Sequence, residues 1–447
     1  MLDFFAKWAS VFQNSLYWPR LLLIVTTLIY AALINIAHSG YLLSNWAYFG
    51  FRYNSPEFGH IVIIFFLLIA PALTLPVWLN RPSAIILSML YALVYVPSVV
   101  ITICVSESSI AKYGLQLMTM AVVMCACSIM TALQFKGSDN GAPGRSLGII
   151  FIIAFLAASS ILIYSYREII GFVGASDIYD QRQAGAAGNI WMGYLQTYFT
   201  LVISPFLIVW GLHRKNVLLI ALGSSGCLLM YMINAQKVAL ILPVAVTAIY
   251  LLLSSRIPLF RTSVFHLMLL VFGVATLLSL EKGSPMVDFA VAFLVFRTIA
   301  VPALTLSQYN DLFSEYGYTL WSHVKGINLL ITAPTELAWN PSWPGLGYVV
   351  GDLVYGDASH NVNANLFASD GAAAAGSLGI LAIGCVLFVW IYLLDRFARH
   401  WDPRFTIPMV FPCAFSLTNG PLLTSLLSFG GLFWLVLFAL YRNKRKN

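Results

Sequence analysis

Charge is scarce in this chain: Asp, Glu, Lys and Arg make up 9% of its 447 residues, against 60% for hydrophobic ones. A soluble multidomain protein is excluded, because its surface would need far more charged side chains. Cysteine is sparse as well. The six, Cys104, Cys125, Cys127, Cys227, Cys385 and Cys413, fall inside or beside apolar runs without His or Asp at ligand spacing. Neither a disulfide framework nor a metal site is expected from them, and no cofactor is expected. No stretch alternates apolar and polar residues over ten positions, which excludes an outer-membrane barrel and leaves helices as the only way to satisfy backbone groups in lipid. The start of the chain, with Asp3 and Lys7 before the first apolar run, lacks a small-residue cleavage site, so a removable signal peptide is not expected.

What the chain has instead is apolar length. Runs of about 20 apolar residues, the length that spans a bilayer, recur throughout. They lie near residues 20 to 38, 60 to 79, 83 to 104, 113 to 134, 147 to 165, 191 to 211, 217 to 234, 238 to 254, 263 to 280, 375 to 395, 405 to 421 and 422 to 441. The expected fold is therefore an all-α polytopic integral membrane protein, a single domain over residues 1–447 with about 12 transmembrane helices. With both termini inside, sixteen of the 24 basic residues and four of the 17 acidic ones fall on the inner face. That asymmetry matches the positive-inside rule. The net charge of +7 then reflects this bias and the basic tail Arg442 to Lys446 facing anionic lipid, and nucleic acid is not an expected partner.

Two regions dominate the outer face, residues 166–190 and 281–374. Within the second, Val287 to Leu306 is apolar enough to span, but counting it would carry Arg396, Arg399, Arg404 and the basic tail outside. It reads as an interfacial or re-entrant helix, with Pro302 favouring a break.

Eight basic residues lie outside against the bias, and three invite a functional reading. Lys237 sits in the tight connection Asn234-Ala235-Gln236-Lys237 between two apolar runs. An ammonium there either meets a polar ligand or snorkels to headgroups. Arg182 follows Tyr179 in Asp177-Ile178-Tyr179-Asp180-Gln181-Arg182 and precedes Gly185, Gly188 and Gly193. Its planar fork suits phosphate, and pairing with Asp177 or Asp180 is the plainer alternative. Arg297 interrupts the apolar run Ala290 to Ala300 and needs an anion, for which diphosphate is a good candidate. A third cluster, Tyr355 to Asn365, holds His360, Asn361, Asn363 and Asn365 and leads through Asp370-Gly371 into a small-residue run. Asn side chains pair well with sugar hydroxyls. His360 and Asp370 are the nearby groups able to take or orient a proton, although a loop histidine is often a plain hydrogen-bonding residue.

Taken together, these residues resemble the integral-membrane O-antigen polymerases, which join oligosaccharide repeat units, and their relatives the O-antigen ligases. The likeness covers roughly residues 166–395 and lies in layout more than in continuous identity. Arg182, ten residues and Gly193 fit the arginine–glycine spacing of some family loops. The second loop departs, since Gln308 stands eleven after Arg297. Its Arg297, Pro302, Tyr309 and Phe313 instead look like the family's arginine, proline, tyrosine and phenylalanine series. His360-Asn361 with Gly371 reproduces a ligase spacing, whereas alignment on Gly376 and Gly379 puts Asn365 at the histidine position.

The resemblance implies a metal-independent glycosyltransferase in the bacterial inner membrane, with its active site facing the periplasm. It would transfer the growing chain from undecaprenyl diphosphate to a lipid-linked acceptor repeat. Catalysis would fall to His360, Asp370 and Arg297, and substrate binding to Arg182, Tyr179, Lys237, Tyr309, Asn361, Asn363 and Asn365. The lipid bilayer and a chain-length regulator protein are implied partners. An O-antigen ligase and a lipid-linked oligosaccharide flippase are the alternatives.

Overall fold

The computed structural model describes residues 17–131, 141, 143–174, 177–186, 188–255, 258–280 and 285–441. Among these, all regular structure is helical apart from one isolated bridge between Gly141 and Trp401. The helices are α1 Trp18–Phe49, α2 Phe58–Thr74, α3 Pro82–Ile103, α4 Ser109–Met130, α5 Arg145–Tyr166, α6 Ile178–Ala186, α7 Ile190–Arg214 and α8 Val217–Asn234. They continue as α9 Lys237–Ser254, α10 Pro258–Leu278, α11 Val287–Tyr316, α12 Leu346–Tyr355, α13 Phe367–Ala398, α14 Pro403–Ser416, α15 Leu422–Ser428 and α16 Gly431–Leu440. Nine of the described helices are long and apolar enough to cross a membrane, ten if the bent pair α15 and α16 counts as one. The chain is a polytopic helical membrane protein.

Helix α3 forms the centre because its sequence offers no polar face: apolar residues and small hydroxyls surround it, and it is buried on every side. Its first turn has orphan donors, and Asp395 of α13 takes them. The Ser83 N–H and hydroxyl donate to the two carboxylate oxygens at 3.0 and 2.5 Å. Proline leaves similar debts inside helices. Pro71 of α2 cannot donate to the Leu67 carbonyl, and the Tyr95 hydroxyl of α3 donates to that oxygen at 2.7 Å instead. At the end of the same helix, Arg20 donates to the Ala72 and Leu75 carbonyls at 2.9 and 2.5 Å.

Several expected runs differ from the observed helices. The runs at 60–79 and 405–421 form shorter helices, α2 and α14, and the last run is bent by 53° between α15 and α16. A break at Pro302 does not occur. There, a π-helical stretch, Ala292–Ala300, runs directly into α-helix, so Pro302 falls in a first turn where its missing donor costs least. Length and composition would let α11 cross a membrane. Phe296 in it stacks on Trp46 at the end of α1, and Asp311 pairs at 2.8 Å with Lys112 at the start of α4.

Helix α13 is the other irregular element. Ala375 and Gly376 leave helical geometry, Gly376 at φ +59°, ψ −133°, a conformation reserved for glycine. The break frees the Ala373 and Ala374 carbonyls, and the Thr319 and Leu320 N–H groups donate to them at 2.9 and 3.0 Å. Gly371 and Gly379 come together across the kink so closely that a Cβ on Gly379 would strike the Gly371 carbonyl.

Candidate anion-binding site

The site begins where α8 ends. Ala235 adopts left-handed geometry at φ 50° and closes α8, the Asn234 side chain accepts from the Gln236 N–H at 3.2 Å, and α9 starts at once with Lys237. The first turn of this 18-residue helix presents backbone donors and the positive end of its dipole. The half-buried Lys237 ammonium sits 4.3 Å from the centre of the Phe289 ring at the start of α11, a cation–π contact.

Arg182 reaches the same place from α6. Gln181 is buried and donates to the Ile169 and Met232 carbonyls at 2.7 and 2.6 Å, stapling α6 across the end of α8. Gly185 permits that approach, since a Cβ there would lie 2.6 Å from the Ile233 carbonyl. One residue on from the staple, Arg182 faces outward and extends to the Ala235 carbonyl at 3.5 Å. Arg297 comes from the π-helical part of α11, exposed and lying over Phe296 with its guanidinium 5.7 Å from the ring centre.

Both arginines are close enough for their charges to bear on Lys237. Three cations, 115 residues apart in sequence from first to last, thus crowd one helix N-terminus. Among the described residues, neither Lys237 nor Arg297 has a carboxylate at ion-pair distance, whereas Lys112, Arg167 and Arg404 each do. Like charges brought this close, with no carboxylate on Lys237 or Arg297 among the described residues, are eased by solvent or by an anionic ligand.

Beside the cations an aromatic wall runs toward His360. Phe296 stacks on Trp46 and meets Phe49 edge to face; Phe49 in turn meets the half-buried His360 at 5.6 Å, and Tyr355 meets it at 5.5 Å. Tyr355 is fixed by donating to the Phe49 carbonyl at 2.8 Å. The carboxylate within electrostatic reach of His360 is Asp357, held below the usual carboxylate range by the Ser359 hydroxyl and N–H and by the imidazole itself. Sequence reasoning missed Asp357. The signal was its place three residues before His360, which a turn closes through the His360 N–H and the Asp357 carbonyl at 3.0 Å.

The other anticipated residues are placed as follows. Asp370 is fully buried in the π-helical start of α13, where its Oδ2 accepts from the Leu423 N–H at 3.2 Å and its Oδ1 has no hydrogen-bond partner. Tyr309 is buried and donates to the Val362 carbonyl at 2.7 Å. Asn365 is buried with both ends of its amide used: Nδ2 donates to the Pro302 carbonyl at 2.7 Å, and Oδ1 accepts from the Phe367 and Ala368 N–H groups at 2.8 and 3.2 Å. Asn361 and Asn363 are exposed, with Asn361 lying against Gly347. The Tyr179 side chain lies outside the described ones. The structure therefore unites Arg182, Lys237 and Arg297, links them by an aromatic wall to His360, and engages Tyr309, Asn365 and Asp370 in internal bonds.

Compared with protein-family models, curated proteins and solved structures, the chain matches none. The class defined by fold and site is a polytopic helical membrane protein carrying a convergent cationic site at the head of α9.

Proposed function

We propose that this protein polymerises oligosaccharide repeat units carried on undecaprenyl diphosphate, at the periplasmic face of the bacterial inner membrane. The observation that supports this reading most is the convergence of Arg182, Lys237 and Arg297 on the start of α9, with no carboxylate on Lys237 or Arg297 among the described residues. A diphosphate fits such a site: guanidinium forks and helix N–H groups bind its oxygens, and the fixed positive charge stabilises it as a leaving group.

In the proposed reaction the bond between the donor's anomeric carbon and the diphosphate oxygen breaks, and the diphosphate departs with the electron pair. A hydroxyl of the lipid-linked acceptor forms the new bond to that carbon. Its proton passes to His360, whose charge Asp357 offsets. Asp370, bonded to the start of α15, acts as a positioning residue, as do Tyr309 and Asn365.

The test uses a strain that depends on this protein for surface polysaccharide. Without the gene, silver-stained lipopolysaccharide should show core bearing a single repeat; bare core would point to a ligase or a flippase and overturn the reading. Complementation with Arg182→Ala or Arg297→Ala should leave the single repeat while the protein accumulates normally in the membrane. Full-length chains from both variants would also overturn it.

A further inference from the structure

At the end of α6 lies a cleft of about 410 Å³ that none of the anticipated residues lines except Gly185, Gly188 and Gly193. Its walls come from the end of α5, the end of α6, the start of α7, and α15 with Phe429 just after it. No charged side chain lines it. Its polar groups are hydroxyls and amides, and two tyrosines and Phe429 supply aromatic surface. Four of the hydroxyls, on Tyr166, Tyr194, Thr424 and Ser428, have no hydrogen-bond partner among the described residues. By contrast, the neighbouring Thr197 and Gln196 donate to backbone carbonyls at 2.8 and 2.9 Å.

Neutral hydroxyls beside aromatic surface suit a pyranose, whose ring has apolar faces and a polar edge, and the volume lies within the roughly 300–1,000 Å³ of small-molecule clefts. The absence of cations from the lining rules out diphosphate as its occupant. Position supplies the link. Arg182 and Gly185 are three apart on α6, so their Cβ positions are neighbours, about 5–6 Å apart on an ideal helix. A ligand whose charged end rests on Arg182 need only extend along α6 to place its neutral part in the cleft.

We infer that this cleft binds an uncharged sugar residue of the saccharide whose diphosphate occupies the cationic site. The inference rests on that reading of the cations and adds a separate saccharide subsite to it. The subsite has its own anchor: Asp370 bonds the start of α15, the element that brings Thr424 and Ser428 to the cleft.

Gly193 offers a clean perturbation, because a Cβ there meets nothing within 4 Å and a large side chain would fill the cleft without clashing at its base. The experiment uses the full chain in lipid nanodiscs and two separate probes. One is the oligosaccharide freed by mild acid from the source cell's own lipid-linked repeat; the other is inorganic diphosphate. Saturation-transfer NMR should show sugar ring protons in contact with the wild-type protein, with loss of the signal in Gly193→Trp. The paired variant Thr424→Val, Ser428→Ala removes hydroxyls without filling space and should weaken the signal too. Diphosphate binding by calorimetry should be unchanged in both. A saccharide signal that survives in Gly193→Trp and the paired variant, or that is absent from the wild type, overturns the cleft. Failure of the wild type to bind diphosphate overturns the cationic site instead.

Discussion

Arg297→Gln separates a ligand site from a structural one by the sign of its effect. The substitution keeps a long polar side chain and removes one of three crowded positive charges. Lys237 lies within reach of that charge, and Arg297 has no carboxylate partner among the described residues. Relief of like-charge repulsion at such an exposed position is worth about 0.2–1 kcal/mol, so the unliganded protein should be as stable as wild type or slightly more so. Binding should move the other way. Losing one charge-assisted hydrogen bond to an anion costs about 1.5–3 kcal/mol, or roughly a ten- to hundredfold rise in Kd. Calorimetry with inorganic diphosphate and thermal melts of the same nanodisc samples measure both quantities. Arg404→Gln provides a control with opposite stability, since Arg404 grips the buried Asp402 through Nε and Nη2 at 2.9 and 2.7 Å. Its loss should destabilise the fold by about 1 kcal/mol or more without touching diphosphate affinity. A large stability loss in Arg297→Gln with unchanged affinity would refute the reasoning and make Arg297 a structural residue.

Two further predictions concern the stretch from α11 to the start of α13. Asn365→Ala removes three buried hydrogen bonds, one to the Pro302 carbonyl of α11 and two from the Phe367 and Ala368 N–H groups that open α13; it should cost about 3 kcal/mol, measured as a lower melting temperature, and wild-type stability would show that the amide is dispensable. His323, in the segment between α11 and α12, has both ring nitrogens buried without partners, and burial pushes its imidazole down to about 4 from an ordinary 6.5. The unfolded chain therefore takes up a proton first as pH falls. Stability should be intact above about pH 6.5 and decline toward pH 4, by at most about 3 kcal/mol, because part of the ring is exposed. Proteolysis of this segment across that pH range reads the effect, and a profile identical to that of His323→Phe would refute it.

The apolar runs made the helices legible, since lipid leaves the backbone no alternative, and charge sidedness singled out Arg182, Lys237 and Arg297 before any geometry was known. Composition could not show which polar residues are occupied. Asn365 reads in sequence as a sugar-binding side chain and Tyr309 as a substrate-binding one by resemblance, and composition could not show that their hydrogen bonds go to Pro302 and Val362, 63 and 53 positions away. Asp370 reads in sequence as a proton carrier beside His360, and composition could not show that it lies buried and bonded to the start of α15. Asp357 was overlooked because an exposed loop carboxylate is ordinary, and only the turn to His360 gives it meaning. The staple by Gln181 was equally invisible, as a glutamine next to an arginine carries no sign of which one faces inward.

The break at Ala375 and Gly376 bears on how this protein can be taken apart. Because the Thr319 and Leu320 N–H groups complete the Ala373 and Ala374 carbonyls, the segment that follows α11 and the first turns of α13 share one hydrogen-bonded seam. A chimera that swaps residues 317–366 alone would cut that seam and leave its backbone groups without their partners. An exchange of this segment between two such proteins must therefore take the start of α13 as far as Gly376 with it, so that residues 317–376 move as one cassette.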